Sequence, residues 1–122
     1  MMKEPTLKEI QATLDEYISQ FKEGYFPPLV LLGRMTEELG EVAKSLMYHE
    51  GHVTKKKNEE ISEISEELMD LLVSVVIMAN ALEIDLSSTF DQNMKKYRKR
   101  DRHRFERNEQ DVRKLDEANE NH

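Results

Sequence analysis

Residues 37–41 read Glu37-Glu38-Leu39-Gly40-Glu41, and a second acidic pair follows within Glu66-Glu67-Leu68-Met69-Asp70-Leu71-Leu72. Glu38 and Glu41 are three residues apart, as are Glu67 and Asp70, and on a helix residues so spaced project from adjacent turns on one side. Both stretches carry apolar residues at helical spacing, so the pattern predicts two amphipathic helices, each with a two-carboxylate claw. Like charges aimed at one place repel unless something positive stands among them. No run of bases adjoins either pair. Donors made only of carboxylate oxygens suit a hard divalent cation, Mg²⁺ or Mn²⁺, better than zinc. A lone E-x-x-E is ordinarily a solvated helix face, but two pairs on two apolar helices weigh against that reading.

Outward from the first pair, the helix spans about Pro28 to His49. Leu32, Met35, Leu39, Val42 and Leu46 recur at spacings of three and four and predict its packed seam, with Glu38 beside the seam and Glu41 further round. The second pair lies on a helix from about Glu59 to Leu82. One stripe there runs Ile61, Ile64, Leu68, Leu72, Val75, Ala79 and Leu82, while Val73, Ile77 and Ala81 cover the opposite side. A helix apolar on two sides is central or sits in an interface between copies. Asp70 shares the side of Val73 and Ile77, so it is expected to face a buried surface, where a carboxylate needs a partner or a metal.

Ahead of these, Thr6-Leu7-Lys8-Glu9 has the form of a capping box, and Leu7, Ile10, Leu14, Tyr17, Ile18 and Phe21 predict a helix to about Lys22. Gly24 ends it, and Tyr25-Phe26-Pro27-Pro28 connects it to the next helix. Tyr25 and Phe26 are read as core or interface aromatics, with the wall of a base pocket as the alternative. Residues 51–58, with three lysines in succession, read as an exposed loop. His49 and His52 lack the spacing of a metal or catalytic motif. Asp85 is placed to cap a fourth helix with Leu86, Phe90, Met94 and Tyr97 inward. Lys96 and Arg100 stand four apart near its basic end, a pattern that suits either the helix dipole or an oligophosphate.

Over 122 residues, 35% charged and 38% apolar with four Gly and three Pro, this is the composition of one all-α domain of four or five helices. The domain is expected over residues 1–105, with 106–122 a polar, flexible tail. The absence of cysteine excludes disulfides, thiolate metal sites and cysteine nucleophiles. No segment reads as a signal peptide or a membrane span, which makes a cytoplasmic location the default expectation. The net charge of -7 argues against binding a nucleic acid polymer through a basic surface.

In order along the chain, Glu37-Glu38-Leu39-Gly40-Glu41, Glu66 to Leu72, Ile84-Asp85-Leu86-Ser87-Ser88 and Lys96-Tyr97-Arg98-Lys99-Arg100 resemble the E-x-x-E, E-x-x-D and K-F-x-x-R blocks of the MazG-like nucleotide pyrophosphohydrolases. The resemblance implies an all-α helical bundle that pairs into a homodimer or a dimer of dimers. It implies hydrolysis of a nucleoside triphosphate to the monophosphate and pyrophosphate, with Mg²⁺ on Glu38, Glu41, Glu67 and Asp70. Lys96 and Arg100 would hold phosphates, and Arg34 is a further substrate-binding candidate. A carboxylate not fully engaged by metal would take the proton of the attacking water, and Glu37 and Glu38 are the first candidates. The sequence departs from the family pattern at Glu83, where a glycine is common, and at Met94, where an asparagine is. The competing reading is a non-catalytic helical module that oligomerises or binds a partner. A carboxylate-bridged di-iron bundle would need E-x-x-H pairs, which the sequence lacks.

Overall fold

A computed structural model of the chain describes residues 3–54 and 62–108. These form four helices and no strands: α1 (Leu7–Ser19), α2 (Pro28–His49), α3 (Ile64–Ala81) and α4 (Leu86–Asp101). The chain divides into two units, Met1–Ser87 and Ser88–His122. The lysine-rich part of the loop expected over residues 51–58, and nearly all of the expected flexible tail, lie outside the described residues.

In the first unit α1 begins on its capping box. Thr6 Oγ1 accepts from the Glu9 amide and the Glu9 carboxylate accepts from the Thr6 amide, both at 3.1 Å. Those same bonds hold the Glu9 carboxyl below its ordinary pKa, the Thr6 backbone first. α1 is shorter than its apolar spacing suggests. It stops at Ser19, and residues 20–23 continue as turns up to Gly24, whose φ of 62° reverses the chain.

α2 keeps its expected bounds. It starts without a side-chain cap, Pro27 standing outside and Pro28 in the first turn, where a missing N–H leaves nothing unpaired. It closes with a Schellman motif: Gly51, at φ 78°, donates to Tyr48 O, and His52 donates to Met47 O at 2.9 Å.

α3 begins later than expected. Glu63 is extended and Ser62 uses its carbonyl to accept from the Ser45 hydroxyl at 3.2 Å, so the helix opens at Ile64. Residues 59–61 lie outside the described residues. Its end repeats the α2 motif on a different residue: Glu83 donates to Asn80 O and Ile84 to Ala79 O, with Glu83 itself at φ 57°. The left-handed turn that commonly carries glycine is therefore made by a glutamate, against the steric cost of its Cβ. Glu83→Gly is expected to stabilise the chain by about 0.5–1 kcal/mol, seen as a higher urea midpoint at unchanged slope.

α3 is the hub, packing on α2 most extensively and on α1 as well. The α1 contact is fixed by Gln11, whose Nε2 donates to Asn80 Oδ1 (2.9 Å) and Ile84 O (2.8 Å) and whose Oε1 accepts from the Leu86 amide (2.9 Å). Asn80 returns a bond to Gln11 O at 2.9 Å. Tyr25 donates its hydroxyl to Asp15, and burial followed by that carboxylate pushes the phenol up to about 12. Tyr25 thus serves as a latch on α1.

The seam along α2 lies one residue away from the most apolar one. Leu31, Val42 and Ser45 are buried, with Met35 and Glu38 half-buried between them. Leu32, Leu39 and Leu46 stay exposed, Leu39 by 56%. On α3, Val76 and Ala79 are buried while Leu68, Leu72 and Val75 are exposed. Only Leu31, Val42, Val76 and Ala79 form the buried apolar core among the described residues, a thin core for a chain of this length.

In the second unit, α4 contains no buried residue, and Phe90, expected to point inward, is 60% exposed. Asp85 caps this helix as expected, accepting from the Ser87 amide at 3.2 Å. At the other end Arg100 grips Asp101 at 2.8 and 3.1 Å, which lowers the Asp101 carboxyl and raises the guanidinium.

Candidate active site

The shifted seam of α2 decides the geometry. Leu31, Met35, Glu38, Val42 and Ser45 alternate by four and three, so Glu38 stands on the packing stripe itself rather than beside it. Across from it, α3 brings Glu67 and Asp70. One carboxylate oxygen from each of Glu38, Glu67 and Asp70 lies within 4.8 Å of the others. Glu67 is the buried member at 5% exposure, and Asp70 is exposed. That reverses the burial expected for Asp70. α3 is covered by both α1 and α2, and the side carrying Val73 and Ile77 borders an open cavity instead of a packed wall.

That cavity has a volume of about 230 Å³. Arg34, Glu37, Glu38 and Asp70 give it a polar wall, and Leu31, Val73 and Ile77 an apolar one. Ser74 completes it, its hydroxyl turned back to Leu71 O at 2.7 Å. Leu31 and Ser74 are wall residues that charge spacing does not reveal. The helical repeat does: Leu31, Arg34 and Glu38 follow one line on α2, and Asp70, Val73, Ser74 and Ile77 one line on α3.

Four of the expected site residues, Arg34, Glu37, Glu38 and Asp70, therefore meet around one cavity, and Glu67 joins Glu38 and Asp70 behind it. Glu41, a turn beyond Glu38, is exposed and outside the three-carboxylate cluster, but its charge still reaches Glu38. Lys96 and Arg100 belong to the second unit, where both flank the Tyr97 ring, at 5.1 and 4.9 Å from its centroid.

Desolvation raises the Glu38 pKa, and the neighbouring charges of Asp70, Glu67, Glu41 and Glu37 add to it in that order. A raised carboxyl pKa means that the folded chain binds this proton more readily than the unfolded one. Stability is then greatest below the ordinary Glu range and is lost as pH rises through the raised folded value. Melts of the metal-free protein should show Glu38→Gln matching the parent at acid pH and exceeding it above that window. A parent that gains stability across the window would contradict the crowding of charge at Glu38.

Among the described residues no cation pairs with Glu38, Glu67 or Asp70. A buried carboxylate within reach of two others, all with hard oxygen donors, is a set that a divalent cation fits and that is costly without one.

These features define an all-α protein with a carboxylate-lined cavity between its two acidic helices. Comparison with known proteins gives the family. The sequence model of the MazG nucleotide pyrophosphohydrolase domain matches residues 26–105, and the chain belongs to this family. It is 44% identical over 109 residues to the uncharacterized protein YpjD of Bacillus subtilis (strain 168), covering 89% of this chain and 98% of YpjD. The crystal structure of Bacillus subtilis YpjD, described as that of a candidate pyrophosphatase, superposes with a TM-score of 0.69 at 45% identity over 79% of this chain and 98% of that one. The Bacillus-conserved MazG protein, described as a nucleotide pyrophosphohydrolase, superposes with a TM-score of 0.67 at 37% identity over 89% and 99%. Among the described residues no helix is long and apolar enough to cross a membrane.

Proposed function

We propose that this protein hydrolyses nucleoside triphosphates to the monophosphate and pyrophosphate in a Mg²⁺-dependent reaction, with Mn²⁺ as a substitute. The observation that carries this reading is the convergence of Glu38, Glu67 and Asp70 to within 4.8 Å beside a cavity that also receives Arg34. Glu38, Glu67 and Asp70 would hold the metal, with Glu41 as a fourth ligand from the next turn. Bound there, Mg²⁺ supplies charge screening and Lewis acidity to the phosphate oxygens.

The chain's own residues do the rest. Glu37 or Glu38, at the polar wall, takes the proton of the attacking water. The water oxygen adds to the α-phosphorus, the bond from that phosphorus to the bridging oxygen breaks, and pyrophosphate leaves with the electron pair. Arg34, Lys96 and Arg100 are the proposed phosphate ligands, and a guanidinium fork is well matched to phosphate oxygens. Leu31, Val73 and Ile77 keep water from one side of the cavity.

The exposed stripes Leu32, Leu39, Leu46 and Leu68, Leu72, Val75 support a further part of the proposal, that the working form is a homodimer or a dimer of dimers. The test of function is release of pyrophosphate across a panel of ordinary and modified nucleoside triphosphates, with and without Mg²⁺. The expected result is Mg²⁺-dependent pyrophosphate from at least one of them. Orthophosphate as the sole product would contradict the proposal.

A further inference from the structure

Arg34 poses a problem for the acidic cavity. A guanidinium sharing a wall with Glu37, Glu38 and Asp70 would ordinarily fold onto a carboxylate and neutralise it. It does not do so: among the described residues Arg34 makes no ion pair, and its Cζ stands 4.7 Å from the centroid of the Phe26 ring.

The backbone that carries Phe26 is restricted. This residue precedes two prolines, so its backbone and the entry into α2 have little freedom. Phe26 also lines an apolar cavity with Ile18 and Phe21 at the end of α1. A guanidinium stacked on an aromatic face keeps its in-plane N–H groups open, because the ring engages only the π surface.

We infer that Phe26 is a positioning residue: it holds the Arg34 guanidinium off the Glu38–Glu67–Asp70 cluster, leaving the carboxylates free for a cation and the guanidinium fork free for a phosphate. The inference rests on the proposed metal site and extends it to a residue that touches neither metal nor reacting atoms. Without the ring, Arg34 falls onto the carboxylates and competes with the metal from within the protein.

The test is Mn²⁺ titration of the metal-free protein by electron paramagnetic resonance, a readout independent of turnover. Phe26→Leu, which keeps apolar bulk but removes the π face, is expected to weaken Mn²⁺ binding about three- to fivefold. Phe26→Tyr should bind Mn²⁺ as the parent does. The distinguishing arm compares Phe26→Leu combined with Arg34→Met against Arg34→Met alone: the two should bind Mn²⁺ equally, because the competing cation is gone from both. A merely structural role for Phe26 would leave the double variant weaker than Arg34→Met by the same factor that separates Phe26→Leu from the parent, and that result overturns the inference, as does parental Mn²⁺ affinity in Phe26→Leu alone. A parent protein that binds no Mn²⁺ overturns the metal-site reading itself and this inference with it, an outcome distinct from the other two.

Discussion

Glu67→Gln is expected to lower turnover by about 100-fold or more while leaving the metal-free protein at least as stable as the parent. The two halves of that result belong together. Glu67 is 5% exposed, lies within 4.8 Å of two other carboxylates and has no cation beside it among the described residues. Replacing it with an isosteric amide removes repulsion of about 1 kcal/mol per pair at a dielectric suited to partly solvated sites, and removes one ligand from the metal. Asp70→Asn should behave alike, with a smaller gain in stability because Asp70 is exposed. An acid kept for capping or for an ion pair would give the opposite pattern, with stability lost and activity kept. Thermal melts with and without Mg²⁺, run beside the pyrophosphate assay, separate the two. Mg²⁺ should raise the melting temperature of the parent and have little effect on Glu67→Gln.

The second large effect concerns assembly. Leu39→Lys or Leu72→Lys, each placing a charge on a helix stripe left exposed in the single chain, is expected to cost the oligomer about 3 kcal/mol or more. Light scattering at micromolar concentration should show the parent as a dimer or larger and each variant as a smaller or unfolded species. A control substitution on α1, Lys8→Glu, should leave the assembly intact. A parent that runs as a folded monomer would remove the proposal that copies of this chain complete the thin core.

The sequence discloses the two acidic helices, the start of α1 and the all-α class because those features are local: the α1 capping box, a proline at the first turn of α2, an apolar repeat. It misplaces what depends on partners. The row Leu32, Met35, Leu39, Val42, Leu46 is the most apolar line on α2, so periodicity selects it, yet the packing within the chain uses Leu31, Glu38, Val42 and Ser45. α2 carries two stripes, and the more apolar one is exposed in the single chain. Periodicity favours the greasier one, while the site is built on the more polar one. Asp70, expected to face a buried surface, is exposed, and Glu67 is the buried acid. Gln11 is invisible to such reading, since a glutamine in an amphipathic helix has no distinguishing pattern, although within the first unit its side chain ties α1 to Asn80, Ile84 and Leu86. Phe26 was legible only as an aromatic before two prolines. Its contact with Arg34 depends on the angle at which α2 leaves those prolines, which no spacing rule supplies.

The most direct test of the proposed reaction is hydrolysis in ¹⁸O-labelled water with Mg²⁺ present, followed by ³¹P NMR and mass spectrometry of both products. Attack at the α-phosphorus places the label in the nucleoside monophosphate and leaves pyrophosphate unlabelled, and that is the expected result. Label in pyrophosphate, or a nucleoside diphosphate and orthophosphate as products, would contradict it.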